Sequence, residues 1–188
     1  MNRNIVLLSN FDYIFLKEHR DFEGRWVAID IDCCGGIPLR IICVYAPNDT
    51  MDRKRFISSL DFILSTPREI IMGGDWNFVE DSERDRVGGY VGNGTVGAVE
   101  FKKLREDFSL RDAFRQLLPN RRGLDCITWR RQDVHCRLDR FYISHTLRPW
   151  LESVKHVYCL VSDHFYVDMK IRESDNKKFK YGGGYWKA

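Results

Sequence analysis

The pattern of hydrophobic and polar positions predicts strands and helices that alternate along the chain. Residues 25–32 alternate large apolar side chains with small or polar ones, which predicts a strand with one covered face, and residues 39–44 form a more apolar return strand. The apolar spacing becomes helical over residues 51–64. Residues 70–72 then form a short apolar run, typical of a strand buried on both faces. This order predicts a layered protein with helices packed on a sheet.

The remaining elements follow from the same periodicities. Six further strands are predicted, at residues 4–8, 13–16, 127–131, 137–143, 157–161 and 165–171. The strands at 127–131 and 137–143 are expected to pair as a hairpin. Residues 99–108 have helical spacing, and we expect residues 110–114 to continue helically until Pro119. Residues 173–188 are polar and glycine-rich, which predicts a tail after a domain of residues 1–172.

The apolar run at 70–72 ends in two glycines that precede an acid and an amide. Gly73 and Gly74 are expected to allow a sharp turn and to leave room for a ligand close to the main chain. Asp75 and Asn77 follow at the carboxyl end of the strand, and residues two apart on an extended segment face the same way. Taken alone, this stretch favours the simpler interpretation of a turn in which both side chains bond to local backbone.

Composition limits the class of protein. The chain has 188 residues, 44% of them hydrophobic, which fits one soluble domain with a core. The net charge is +3, but the first 100 residues carry 11 Lys and Arg against 16 Asp and Glu, whereas the rest carry 19 against 11. This asymmetry suits a site that holds a metal and receives a polyanion, and it fits ordinary surface variation equally well.

Cysteine usage and the beginning of the chain bear on localisation. Six cysteines show no C-x-x-C spacing, and Cys33 and Cys34 are neighbours, which indicates reduced thiols. The scattered histidines form no zinc-like cluster. The apolar residues 5–8 are too short for a signal peptide or a membrane span. We therefore expect a nuclear or cytoplasmic protein that is not secreted and has no membrane partner.

Polar side chains follow four of the apolar segments. They are Tyr45 with Asn48, Asp75 with Asn77, Asp139, and Asp163 with His164. Each alone is a weak signal, because a single histidine after a strand is usually a surface residue and an aspartate in a strand usually pairs with a nearby arginine. Together they supply what phosphodiester hydrolysis requires: a metal to neutralise phosphate charge, a base for water, and hydrogen-bond donors for the transition state.

These segments resemble the endonuclease/exonuclease/phosphatase superfamily, which includes deoxyribonuclease I and the apurinic/apyrimidinic endonucleases, and most specifically the endonuclease domain of non-LTR (LINE-type) retrotransposons. The matching segments, in the family's order, are residues 44–48 (VYAPN), 74–77 (GDWN), 137–141 (RLDRF) and 162–164 (SDH). Further similar segments are residues 23–26, 85–89, 128–131 and 184–187. The last is typical of the junction with a reverse transcriptase domain.

The resemblance implies an α+β fold, a four-layer α/β/β/α sandwich, and assigns catalytic roles. His164 is expected to be the general base or the electrostatic partner of the scissile phosphate, with Asp139 holding its imidazole. Asp75 is expected to position or activate the attacking water near the metal. Asn77 and Tyr45 are expected to donate hydrogen bonds to phosphate oxygens.

The resemblance also implies a metal and a set of DNA contacts. Asp163 is expected to bind or orient Mg²⁺, with Mn²⁺ as an alternative, and Asp75 to contribute to the same site. The expected DNA-contacting residues are Asn48, Trp129, Arg130, Arg131 and Arg137. For Trp129 core packing is equally expected, as is plain solvation for the arginines.

The chain departs from the family at its start. The family has an early strand with an asparagine and then a Gln-Glu-Thr-type segment whose glutamate is the principal metal ligand, and neither is found here. Glu18 does not take that role, because it lies in the segment that follows. We therefore expect a sandwich that lacks its first strands, with weaker metal affinity and an uncovered sheet edge.

The function implied is Mg²⁺-dependent nicking of DNA that leaves a 3′-hydroxyl for target-primed reverse transcription, with a reverse transcriptase domain downstream. Two alternatives stay open. One is a catalytically inactive fragment that at most binds DNA through its basic half. The other is a phosphatase of the same superfamily.

Overall fold

The computed structural model describes residues 13–33, 37–89 and 94–172. Its strands are β1 (Tyr13–Arg20), β2 (Trp26–Cys33), β3 (Pro38–Tyr45), β4 (Glu69–Asp75), β5 (Arg86–Val87), β6 (Leu110–Asp112), β7 (Trp129–Arg131), β8 (Val134–Cys136), β9 (Asp139–Ser144), β10 (Leu151–Val157) and β11 (Tyr166–Ile171). The helices are α1 (Thr50–Ser59), α2 (Asp61–Leu64), α3 (Ala98–Asp107) and α4 (Ala113–Leu117), with 3-10 turns at Gly123–Asp125 and His145–Trp150. None of the described helices is long and apolar enough to cross a membrane.

A six-stranded mixed sheet, in the order β1-β2-β3-β4-β9-β6, carries most of the fold. Strands β3 and β4 are parallel, and every other neighbouring pair in this sheet is antiparallel. A parallel pair needs a crossover connection, and α1 and α2 supply it. The two strands that end in polar residues, β3 and β4, therefore finish at the same edge of the sheet.

Helices α1 to α3 cover one face of this sheet. Helix α1 begins after Asp49, whose side chain accepts hydrogen bonds from the backbone N–H groups of Met51 and Asp52. The apolar positions at helical spacing are buried against a cluster of aromatic rings in which Trp76 and Phe101 have centroids 4.3 Å apart. This face confirms the helical prediction for residues 51–64, with a break between α1 and α2.

The other face of the sheet packs on a second, two-stranded sheet of β10 and β11. Ile29 and Ile31 of β2 point to this side, where they share a core with Leu151 and Val154 of β10. Residues of β2 on the opposite side, such as Ala28, belong to the helix-facing core. The alternation along β2 therefore separates two cores, as sheet-on-sheet packing requires. Strands β5, β8 and β7 form a third, small sheet.

The hairpin prediction for β2 and β3 is confirmed by their antiparallel register, and the strands predicted at residues 13–16 and 165–171 correspond to β1 and β11. The strand predicted at residues 4–8, the thiol of Cys34, and the predicted tail of residues 173–188, with its 184–187 segment, lie outside the described residues.

The helix expected to continue until Pro119 ends instead before Ser109, whose φ of 52° leaves the helical region. Leu110–Asp112 then pairs with β9 as strand β6. Asp112 begins a new helix, α4, by accepting a hydrogen bond from the Arg115 N–H at 3.1 Å. The prediction was wrong because pairing with a distant strand overrides local helical spacing.

Two further strand predictions were wrong. The partner of β7 is β8, whereas β9 lies between β4 and β6 in the large sheet. The strand predicted at residues 157–161 lies earlier, as β10, and those residues form most of a loop. In both cases the sequence contains an apolar run, but the strand with which it pairs depends on contacts with residues far apart in sequence.

Gly73 and Gly74 remain inside β4, so the predicted sharp turn is also wrong. A side chain at Gly73 would overlap the ring of Phe141 on β9. A side chain at Gly74, where φ is 148°, would overlap the carbonyl group of Val44 on β3. The glycines therefore allow the neighbouring strands to approach closely, and both also border the cavity that Asp75 and Asn77 line.

Candidate active site

His164 and Asp139 form a hydrogen-bonded pair at one edge of the large sheet. The imidazole Nδ1 of His164 lies 2.9 Å from Oδ2 of Asp139, the first residue of β9. The backbone N–H of His164 donates to Oγ of Ser162 at 3.0 Å, which holds the segment before β11. Because Nδ1 is engaged, Nε2 is the ring nitrogen left for a substrate. The structure thus brings together the two residues that the sequence predicted as a pair.

Asp75 completes a compact group with this pair. It is the last residue of β4, and it is the register partner of Asp139 across β4 and β9. Asp75, Asp139 and His164 each offer one ligand-type atom, and these atoms lie within 4.8 Å of one another. Asp75 is only 4% exposed, so its carboxylate is largely removed from solvent.

The protonation of this group is strongly perturbed. Burial, and next the charge of Asp139, raise the pKa of Asp75 to about 6. Burial lowers the pKa of His164, but its hydrogen bond to Asp139 and the charges of Asp139, Asp75 and Asp163 outweigh burial and raise that pKa to about 9. At neutral pH His164 is therefore a cation, which favours its role as electrostatic partner, and Asp75 has the pKa of a general base.

Both predicted hydrogen-bond donors line the same cavity as the acidic group. This cavity, of about 900 Å³, is bordered by Tyr45, Asn48, Asp75 and Asn77 among others. Asn77 has a φ of 52°, and its backbone N–H donates to Asp75 Oδ1 at 2.9 Å. Its side-chain Nδ2 donates to the Ala46 carbonyl at 2.7 Å. The local bonds expected for a turn are therefore present. They are compatible with the predicted phosphate contact, because an amide nitrogen carries two N–H donors and the Ala46 carbonyl occupies one of them.

Thr128 supports the pair, and the sequence analysis assigned it no role. Its Oγ1 accepts hydrogen bonds from the N–H groups of Leu138 at 2.9 Å and Asp139 at 2.8 Å. Its carbonyl accepts from the N–H of Phe165 at 2.7 Å, one residue after His164. Thr128 is fully buried, and its hydrogen bonds connect the segment that carries Asp139 with the segment that carries His164. Its only sequence signal is its place at the start of the 128–131 segment.

Asp163 lies outside the group formed by Asp75, Asp139 and His164 among the described residues. Its Oδ2 accepts a hydrogen bond from Nε1 of Trp129 at 3.0 Å, and its carbonyl accepts from the Arg130 N–H at 2.9 Å. Trp129 is half-buried and therefore orients Asp163 as well as lining the cavity. The carboxylate pair best placed for a cation is thus Asp75 with Asp139, where the sequence predicted Asp75 with Asp163.

The predicted DNA-contacting residues divide into exposed and buried ones. Arg130, Arg131 and Asn48 are exposed, the latter two at the cavity. Arg137 is 1% exposed; its Nε donates to Asp85 at 2.8 Å and its Nη2 to Asp112 at 2.7 Å. The prediction that Arg137 contacts DNA was wrong, because two acidic residues compensate its charge inside the protein.

The donor set fits a hard divalent cation. Such ions prefer carboxylate oxygens, and Mg²⁺ commonly takes one or two carboxylates and completes its shell with water and phosphate. Asp75 and Asp139 are close enough for the charge of one to raise the pKa of the other, a repulsion that a bound cation relieves. The paired His164 is cationic, so the carboxylate oxygens are the ligands we expect.

Comparisons with solved structures show the fold. A 3′-5′ exonuclease from Neisseria meningitidis has a TM-score of 0.68 at 18% identity, with 86% of this chain and 73% of that chain covered. An AP endonuclease from Leishmania major has a TM-score of 0.63 at 20% identity, with 81% of this chain and 56% of that chain covered. A Neisseria 3′ phosphatase bound to a product DNA hairpin has a TM-score of 0.65 at 17% identity, with 86% and 72% covered.

The predicted fold class is therefore confirmed as an α+β fold of the deoxyribonuclease I-like type. The chain spans little more than half of the Leishmania enzyme. Neither a protein-family model nor a curated protein sequence matches this chain.

Proposed function

We propose that the chain is a metal-dependent phosphodiesterase of retrotransposon origin that nicks DNA and leaves a 3′-hydroxyl. The observation that carries the proposal is the group of Asp75, Asp139 and His164, whose ligand-type atoms lie within 4.8 Å of one another beside an open cavity. Two carboxylates and an imidazolium are the groups needed to activate water and to stabilise a phosphate. The order of the matching sequence segments supports the choice of DNA as substrate.

Each side chain has a role that its geometry permits. Asp75, with a pKa of about 6, accepts a proton from the attacking water. His164 donates through Nε2 to a phosphate oxygen, while Asp139 holds its Nδ1. Asn77 and Tyr45 line the same cavity, and we assign donation to the remaining phosphate oxygens to the second N–H of the Asn77 amide and to the Tyr45 hydroxyl.

Asp75 and Asp139 are the residues proposed to hold Mg²⁺ or Mn²⁺. The ion supplies charge neutralisation for the phosphate when it is bound. Asp163, oriented by Trp129, is proposed to act from the rim of the site, where it is exposed.

The test is relaxation of supercoiled plasmid by the purified chain in Mg²⁺. We expect nicking by the unchanged chain and its loss in the double variant Asp75→Ala/His164→Ala. The matched control is Asp61→Ala/His145→Ala, which removes the same two residue types at exposed positions on α2 and the 3-10 turn after β9. Equal nicking by all three proteins would contradict the proposed site.

Two other functions give different results in the same experiment. A phosphatase releases inorganic phosphate from a 3′-phosphorylated oligonucleotide or a phosphoinositide and leaves plasmid supercoiled. An inactive DNA-binding fragment retards DNA in a manner that weakens with salt, and it cleaves nothing when Mg²⁺ is added.

The wider setting of the domain is part of the same proposal. Residues 1–172 form the nuclease domain, and residues 173–188 connect it to a reverse transcriptase domain that extends the 3′-hydroxyl. The segment at residues 184–187 supports this arrangement. A protein that cuts and copies chromosomal DNA works in the nucleus, after synthesis in the cytoplasm.

A further inference from the structure

Two large apolar side chains beside the site are exposed to solvent. Leu160 is 87% exposed and Val161 is 84% exposed, and they precede Asp163 and His164 by only a few residues. Val157 and Tyr158 are also exposed in part. Two neighbouring apolar side chains that are almost fully exposed beside the proposed catalytic group favour a contact with another molecule there.

The loop that presents these side chains is anchored on both sides. The guanidinium of Arg130 lies over the Tyr158 ring, 4.1 Å from its centroid, and also donates to the Tyr158 hydroxyl. The Phe165 ring contacts the Tyr158 ring edge-on, with centroids 5.3 Å apart. Cys159 is 5% exposed and points inward. The loop therefore holds Leu160 and Val161 outward at little further cost in conformational entropy.

The position of the loop relates it to the scissile phosphate. Val161 lines the same cavity as Asp139 and His164, and Arg131 borders that cavity too. A phosphate at His164 places the adjoining base steps within reach of side chains three or four residues away. Arg130 and Arg131 are exposed on the neighbouring strand and supply positive charge for the flanking phosphates.

We propose that Leu160 and Val161 form an apolar wedge that inserts between base pairs next to the scissile phosphate of duplex DNA. The inference rests on the proposed function. Apolar side chains inserted at a base step unstack it and kink the duplex, and the cost is lowest at flexible pyrimidine–purine steps and at mismatched pairs. The substrates favoured by this chain are therefore duplexes with an easily opened step at the cleavage position.

The test uses a duplex that carries 2-aminopurine at a TA step, whose fluorescence rises when the base is unstacked. Binding is measured with saturating protein in EDTA, so that no cleavage occurs. We expect a several-fold rise with the unchanged chain and less than half of that rise with Leu160→Ser/Val161→Ser. The matched control, Leu124→Ser/Val99→Ser, alters exposed apolar residues elsewhere and retains the full rise. Leu160→Ala alone gives an intermediate value.

A cleavage assay provides a second measurement. With Mg²⁺, the unchanged chain prefers a TA step to a stiff A-tract, and the wedge variant loses most of that preference while it still binds DNA. An equal fluorescence rise in the wedge variant and the control overturns the wedge and leaves the proposed function standing. Absence of salt-sensitive DNA binding by every protein overturns the proposed function itself, and the wedge with it.

Discussion

Asp75 and Asp139 lie directly opposite each other, as register partners in the antiparallel strands β4 and β9. Like charges in such a position repel, and the pKa of Asp75 is raised to about 6 by its burial and by the charge of Asp139. His164 bonds to the second carboxylate at 2.9 Å and offsets part of this repulsion. The two opposed carboxylates therefore form a site that favours binding of a cation.

Removing the negative charge from Asp139 tests the pair. We expect Asp139→Asn to lower the pKa of His164 from about 9 toward its ordinary value, because the hydrogen-bonding carboxylate is the main group that raises it. Nicking falls by about 10²- to 10⁴-fold, as when the orienting acid of a His–Asp pair is neutralised. NMR titration of the imidazole and the plasmid assay measure the two effects. Asp61→Asn, on exposed α2, leaves both unchanged.

The pH dependence of nicking follows from the same two groups. In Mg²⁺ the rate is expected to rise as Asp75 loses its proton, below about pH 6 because the bound cation relieves the repulsion that raises this pKa, and to fall at alkaline pH, where His164 loses its own proton. Initial rates at constant ionic strength and Mg²⁺ measure this bell. A rate that stays constant from pH 5 to 10 would remove both groups from the proposed roles.

Stability without metal responds to pH with a definite sign. Asp75 binds its proton more tightly in the folded chain, with a pKa of about 6 against 3.8, so its contribution to the free energy of unfolding is lost as pH rises through about 6. The pKa of His164 is likewise raised, from 6.5 to about 9, so its contribution to the free energy of unfolding is lost as pH rises through about 9. The Asp75 part is on the order of 2 kcal/mol. Urea unfolding in EDTA at pH 4.5 and 7 measures it, and Asp75→Asn is expected to abolish that part of the change.

Thr128 tests whether the spacing between Asp139 and His164 matters. Thr128→Val removes the acceptor for the N–H groups of Leu138 and Asp139 and costs about 1–3 kcal/mol of stability. Nicking is expected to fall further than this loss of stability explains. Thr128→Ser keeps the hydroxyl acceptor, so we expect it to retain both the stability and the nicking activity. Ser144→Ala is the control: it removes a hydroxyl acceptor for the Ile70 N–H at 2.7 Å, at the opposite end of β9. Equal activity loss in Ser144→Ala and Thr128→Val would assign Thr128 a purely structural role.

The arginines separate binding from stability. Arg137→Ala leaves Asp85 and Asp112 without their buried partner and is expected to destabilise the chain by about 3–5 kcal/mol. Arg130→Ala/Arg131→Ala is expected to lower the free energy of unfolding by about 1 kcal/mol at most, through the lost contact of Arg130 with the Tyr158 ring. In DNA binding, it lowers the slope of log K against log salt by about 0.9 for each phosphate that the variant no longer neutralises. Unfolding curves and salt titrations measure the two effects. An unchanged salt slope in the double variant would exclude these residues as phosphate ligands.

Local features were predictable from the sequence because their causes are local. The β2–β3 hairpin and the buried positions of α1 and α2 follow from apolar spacing over a few residues. The end of α3 and the pairing of β6 were not predictable, because Leu110–Asp112 gains its strand partners from β9. Loop residues 158–161 are apolar enough to be read as a strand, yet their exposure is decided by what packs around them.

The sequence by itself determined which polar residues of the candidate site follow apolar strands, and their order, whereas the pairing of His164 with Asp139 was implied by the family resemblance. Only the tertiary structure decided which acidic residues meet and which arginine is available. Asp75 lies opposite Asp139 because of the register of β4 and β9. Arg137 is buried in ion pairs with Asp85 and Asp112, whereas Arg130 is exposed. The chemical type of each side chain can be read from the sequence, but the burial of a side chain and its neighbours depend on contacts between segments far apart in sequence.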